Sequence, residues 1–241
     1  YLAEAGIAGD PIYYDEISPY GLELKQLLEG IWTHAQGIDA ALLEKIRRYT
    51  KLVWVYHGNY DLDSTRKFLP EFTSAELRAA AQRALRNGAN FGVKTAQALD
   101  ARLKRLEQPI FDANYRPAVT VKNPPPGQDT VTASGSNLYE NVTLAEVEKF
   151  KGPHGLNSRV VKRSGKIIEE IWRAGTPDGK VPPGRYAAHI RRIIANLEKA
   201  AEVAEPAQAD IIQKLIRYYQ TGEKSDWYAY NIAWVQAAST M

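Results

Sequence analysis

The chain has 241 residues, with 31 Lys+Arg against 28 Asp+Glu (formal net charge +3), four His and no Cys. Hydrophobic residues make up 44% and charged residues 24%, an ordinary globular balance that excludes wholesale disorder. The absence of Cys excludes a disulfide framework, thiolate-bound zinc and a thiol nucleophile. Basic residues alternate with acidic ones instead of clustering, so no nucleic-acid partner is expected. No apolar run approaches the roughly 18 residues of a membrane span, so no membrane partner is expected either. Tyr1 to Asp10 lacks the basic and apolar regions of a targeting signal. The first residue is Tyr1 and the only Met is Met241, from which a chain processed, trimmed or cut from something longer is expected.

The first half is predicted helical. Ser18-Pro19 places a capping hydroxyl before a Pro at the first helical position. Leu24, Leu27, Leu28, Ile31 and Trp32 then recur at spacings of three and four. Asp39 caps the next helix, whose buried side is Leu42, Leu43, Ile46, Tyr49, Val53 and Trp54; Gly58 ends it as a residue tolerant of positive φ. Asn59 to Pro70 is a loop. Thr73-x-x-Glu76 is a capping box opening an Ala-rich helix to about Arg86, and another helix is expected over Lys94 to Glu107.

The middle is richer in Pro, Gly and β-branched residues. Arg116 to Gly127 is a Pro-rich loop, and Thr130 to Ala133 is predicted as a short strand. Thr143-x-x-Glu146 caps a short helix. Ser158–Arg163 and Lys166–Arg173 are strand-like runs joined at Ser164-Gly165, a tight hairpin signal. Beyond a loop from Gly175 to Gly184, three helices are expected, about Arg185–Ala204, Pro206–Gln220 and Ser225–Ala238. The fold class is therefore α+β, a mainly helical lobe around a small antiparallel β core. It is expected as a single lobe over 1–241, helical at 1–110, β-containing at 111–175 with the hairpin at 158–173, and helical again at 184–238.

Chemistry is sparse. His34, His57, His154 and His189 show no paired spacing on one helix. The first and last are expected on helix surfaces, the other two in loops. There is no Gly-x-Ser-x-Gly elbow and no phosphate-cradling Gly loop. Asn141-Val142-Thr143 matches a glycosylation acceptor, but Thr143 is better explained as a helix cap. Glu169 and Glu170 are neighbours in a strand and point to opposite faces, so they cannot share a proton-transfer site; they are expected as surface residues of the hairpin. The aromatics Tyr13-Tyr14, Tyr218-Tyr219 and Trp227-Tyr228-Ala229-Tyr230 do not interleave with Lys/Arg as nucleic-acid stacking platforms do. Helix packing and partner contact are their expected roles. No catalytic residue and no metal ligand is assigned in this chain.

Four tracts in order resemble the dipeptidyl-peptidase III family of zinc metallopeptidases. They are Tyr13 to Lys25; Thr50 to Trp54 with Gly58-Asn59-Tyr60 and Lys67 to Phe72; Gly155 to Lys162; and Leu197 to Ala204 with Leu215 to Gly222 and Tyr230 to Val235. The Gly-Leu-Asn-Ser-Arg and Tyr-Tyr-x-Thr-Gly blocks are the specific ones. The resemblance implies the N-terminal, substrate-cleft lobe of a longer two-lobed enzyme that removes dipeptides from peptide N-termini. The family's His-Glu-x-x-x-His helix, its Glu-Glu-x-x-Arg stretch and its Asn-Gly-Phe-x-Glu-x-Tyr segment have no match here. No cofactor is therefore expected in this chain, with zinc in the complete enzyme, and the chain alone is expected to be inactive.

The resemblance also implies that the Gly58–Asp63 loop borders a peptide subsite, making Asn59, Tyr60, Asp61 and Leu62 candidate substrate-binding residues. An ordinary surface loop closing a helix pair is the alternative. A second expectation is that an edge of the β core accepts peptide as an added strand. The implied partners are a peptide substrate and the missing catalytic lobe, and family habit leans cytoplasmic. The rival reading is a stand-alone, non-catalytic peptide-binding or protein-interaction module derived from the same lobe.

Overall fold

A computed structural model of the chain describes residues 1–93 and 95–238. It is α+β and mainly helical, with ten helices and one three-stranded sheet among the described residues. It packs as two compact units, residues 14–137 and residues 1–13 together with 138–241.

Unit 14–137 is built from α2 (Gly21–Thr33), α3 (Ala40–Tyr56), α4 (Ser74–Arg86), α5 (Ala96–Phe111) and the single turn α6 (Thr130–Ala133). The stripe Leu24, Leu27, Leu28 and Ile31 of α2 is fully buried against Ile46, Tyr49 and Val53 of α3, with Leu77 of α4 and Leu99 and Leu106 of α5 in the same core. Each such side chain contributes roughly 1.5–3 kcal/mol of burial. Asp39 caps α3 as expected, its Oδ1 accepting from Leu42 N at 2.9 Å. The Thr73–Glu76 capping box is closed in both directions. Trp54 stands at the rim rather than inside: 38% exposed, it stacks on Trp32 with ring centroids 5.1 Å apart and donates to Glu29 Oε1 at 2.9 Å.

Several boundaries differ from expectation, each for a local reason. Ser18 does not cap α2; its Oγ accepts from Tyr20 N at 3.2 Å in the turn before the helix. At the end of α3 it is His57, not Gly58, that takes the left-handed conformation (φ 54°), with Gly58 N–H donating to Val53 O at 3.1 Å. Lys94 lies outside the described residues. Helix α5 opens at Thr95, whose Oγ1 accepts from Ala98 N, and runs past Glu107 through Pro109, since Pro109 and Ile110 are buried. Thr130 to Ala133 is a helical turn, not a strand. Asp129 and Thr132 form a reciprocal capping box there, and these local bonds outweigh the weak β preference of the Thr and Val side chains.

The other unit holds the sheet. Strands β1 (Tyr139–Glu140), β2 (Ser158–Arg163) and β3 (Lys166–Ile171) lie in that order, with α7 (Leu144–Phe150) between the first two. β2 and β3 form the expected antiparallel hairpin, but β1 pairs parallel to β2, so the sheet is mixed rather than antiparallel. Ser164 and Gly165 both have positive φ (50° and 76°), as type I′ hairpin turns require. Helices α8 (Ala187–Glu202), α9 (Pro206–Thr221) and α10 (Lys224–Ala238) follow; Met241 lies outside the described residues. Ile190, Ile193, Ile194 and Leu197 of α8 form the core with Ile216 and Ala5. Ala5 belongs to α1 (Leu2–Ile17), a helix the sequence reading missed because Gly6, Gly9 and Pro11 act as breakers. Gly9 fits there because a Cβ would press on Ile193 Cδ1 at 3.3 Å.

Replacing Gly30 with Ala would drive a methyl into the fully buried Phe91 ring. Gly30→Ala is expected to destabilise the protein by about 1–3 kcal/mol, and Thr73→Ala by about 1 kcal/mol through the lost cap. Urea denaturation of the two variants checks both.

Candidate functional site

The hairpin register sorts the polar side chains of the sheet. Val160 faces Glu169 and Arg159 faces Glu170 across the strands, so the two adjacent glutamates emerge on opposite faces. Neither is a bare surface residue, however. On one face Glu169, 8% exposed in its side chain, accepts from Ser158 Oγ at 2.7 Å and His154 N at 3.1 Å, and meets His154 Nδ1 at 2.8 Å. His154 is itself 10% exposed, with Nε2 3.5 Å from Glu223 Oε1. The expected loop histidine is thus a buried member of a network. The order Ser–Glu–His leaves the hydroxyl without a basic nitrogen beside it, so this is not a nucleophile arrangement. A cavity of about 210 Å³ adjoins it, lined by Ser158, Glu169 and apolar residues including Val147, Phe150 and Val160.

On the other face Glu170 is ringed by arginines: Arg159 Nε at 2.7 Å, Arg163 Nη2 at 2.7 Å and Arg185 Nη1 at 3.1 Å. Arg159, which is buried, also pairs with Glu140 at 2.7 Å. Burial pushes both glutamate carboxyls up. For Glu169 the hydrogen bonds from His154 and Ser158 outweigh it, and for Glu170 the Arg159 hydrogen bond and the surrounding guanidinium charges do, so both end below the ordinary value of 4.5.

β3 is an edge strand of the sheet, with no further named strand beyond it among the described residues. Ile171 O accepts from Arg185 N at 2.8 Å, so the backbone groups of Ile171 face away from β2. By alternation, those of Ile167 and Glu169 face the same way. Beside this edge lies a groove of about 490 Å³ whose walls include Arg163, Glu170, Arg173, Gly184 and Arg185.

The four expected substrate-binding residues sit in unit 14–137. Asn59 is 5% exposed and donates through Nδ2 to Pro109 O at 2.9 Å, and Tyr60 is 3% exposed and donates to Arg116 O at 3.0 Å. Both fasten the loop from inside. Asp61 closes an Asx turn, accepting from Asp63 N at 2.9 Å and Ser64 Oγ at 3.0 Å. Leu62 is 45% exposed at the tip. Among the described residues no group of three or more His, Cys, Asp or Glu is placed to hold a metal ion. Two ionisable residues that carried no sequence signal stand out here. Glu16 is raised to about 7 by burial and by the neighbouring Asp15, and Lys67 is lowered to about 8 by burial. No family model matches the chain, and comparison with curated proteins finds no match.

Because Glu169 and Glu170 bind protons more weakly folded than unfolded, the unfolded state takes up more protons as acid is added. Their contribution to stability is complete above pH 4.5 and is lost as the pH falls through their lowered values. Glu16 works the other way: its contribution is complete below 4.5 and is lost as the pH rises toward 7. Thermal unfolding across pH 3 to 8 is expected to show both slopes. Glu169→Gln should flatten the acid side and Glu16→Gln the neutral side.

Proposed function

We propose that this chain binds peptide, as the N-terminal substrate-cleft lobe of a dipeptidyl-peptidase III-like zinc exopeptidase. The observation that carries the reading is the outward-facing backbone of Ile167 and Glu169 on β3, beside a charged groove. An added strand pairs through main-chain bonds and so accepts varied side chains, as an exopeptidase acting on many sequences requires. The tracts that resemble the family support the same reading, and one of them, Gly155 to Lys162, runs into β2. In this reading the zinc and the Glu general base belong to the partner lobe, and exposed Leu62 is the loop side chain available to a substrate.

Helix α10 supports the partner lobe. Trp227, Tyr228, Ile232, Trp234 and Val235 are 40–61% exposed, and apolar residues spread around the helix instead of forming one stripe. A helix apolar on all sides normally sits in a protein interior. The same exposure also fits the rival reading, a stand-alone interaction module without catalysis. The coding sequence beyond codon 241 separates the two, because continuation into a His-Glu-x-x-x-His motif belongs only to the enzyme.

Titrating the chain with an unlabelled tetrapeptide is expected to shift the amide resonances of Ile167 and Glu169. Ile167→Pro removes an outward N–H and no ladder bond, and is expected to weaken binding about five- to tenfold, the worth of one or two backbone hydrogen bonds, at unchanged stability. Peptide shifts confined to other regions would count against strand addition. Incubated with zinc and a dipeptidyl-naphthylamide, the chain alone is expected to show no turnover; metal-dependent turnover would overturn its assignment as a non-catalytic lobe.

A further inference from the structure

In unit 14–137 a second cavity, of about 560 Å³, opens between the 64–67 segment and the 117–123 segment. Its lining includes three cations, Arg66, Lys67 and Lys122, and the polar side chains of Thr65, Thr120 and Asn123, with no carboxylate. We infer that this cavity is a binding site for a phosphate-type oxyanion, either free phosphate or a phosphate monoester.

The walls are preformed. Lys67 N donates to Pro117 O at 2.9 Å, Val119 N to Thr65 O at 2.9 Å, and Asp61 N to Arg66 O at 2.8 Å. The first two bonds tie residues 65–67 to residues 117–119 and the third closes the loop on itself before any ligand arrives, so little ordering entropy opposes binding. The nearby acids are used elsewhere. Asp61 turns its carboxylate onto Asp63 N and Ser64 Oγ, and Asp112 turns its own onto Asn114 N and Tyr115 N. Neither lines the cavity. Arg66 and Lys122 are exposed and form no ion pair among the described residues.

Lys67 contributes to the cavity wall, and its ammonium is held by groups outside the lining. Its Nζ donates to the carbonyl oxygens of Asp112 and Tyr115 and lies 5.9 Å and 5.4 Å from the ring centroids of Tyr60 and Tyr115. Carbonyl dipoles, ring faces and the nearby Asp112 carboxylate, which favours the charged form, hold the ammonium in place. Burial has already lowered the pKa of Lys67 to about 8. At pH 7 the ammonium remains mostly protonated and adds positive charge near the cavity.

The test is titration of the 241-residue chain with inorganic phosphate, phenyl phosphate and acetate at low ionic strength and pH 7, followed by heteronuclear NMR. Saturable shifts at Thr65, Lys67 and Thr120 are expected with phosphate. The double variant Arg66→Gln/Lys122→Gln removes two exposed charges without touching a wall bond, and is expected to weaken binding about tenfold. Stronger binding of phenyl phosphate assigns a monoester as the ligand, and stronger binding of inorganic phosphate assigns the free ion. Acetate binding as tightly as phosphate overturns the proposal, as does the absence of saturation or an unchanged affinity in the double variant.

Discussion

The register of the β2–β3 hairpin is the constraint on which the sheet and its surroundings depend. Ser164 and Gly165 set it, and it puts Glu169 under His154 and Ser158 and Glu170 among three arginines. A slip of one residue would exchange the faces of every side chain on the slipped strand. Glu169 would then lie among guanidinium groups, and Glu170 against the imidazole and hydroxyl. The His154–Glu169 pair is largely shielded from water, so a carboxylate left without its donors there would carry its desolvation cost uncompensated. The charged pairs contribute to choosing one register over its neighbours, apart from any net stabilisation they supply.

That fixed register gives the peptide-binding proposal its physical content. Strand addition needs an edge whose free amides and carbonyls stand at known positions. The Arg185 N to Ile171 O bond identifies which residues of β3 those are. It also stops the edge short, because the segment around Arg185 already occupies the end of β3. A short edge flanked by charged side chains resists indiscriminate strand pairing between molecules, and under the proposed function its occupant is a single extended peptide.

What was legible in the sequence follows the range of the interactions. The boxes at Thr73–Glu76 and Thr143–Glu146 and the cap at Asp39 involve partners three residues apart, and all three formed as read. Asp129 and Thr132 have the same spacing, but the β-branched composition of Thr130 to Thr132 masked their box. Helix α1 was hidden because Gly6, Gly9 and Pro11 disfavour an isolated helix, whereas Gly9 is an asset once Ile193 packs against it. The alternation rule correctly divided Glu169 from Glu170. It could not reveal that each face is covered, because His154 is 15 residues from Glu169 and Arg185 is 15 from Glu170. The cationic cavity lay beyond the sequence for the same reason, since Lys67 and Lys122 line one cavity only through folding.

The stacked indoles at the rim of α2 and α3 have a consequence for observing the molecule. Of the five Trp, Trp32 and Trp54 lie face to face in unit 14–137, while Trp172 and Trp227 of the other unit pack against tyrosines. Two stacked indoles with centroids 5.1 Å apart and planes skewed by 30° couple their electronic transitions and give paired bands of opposite sign in circular dichroism, whereas an indole beside a phenol gives mainly a shifted emission. Each unit therefore carries its own optical signature, and the melting of one can be followed separately from the other in the unmodified chain.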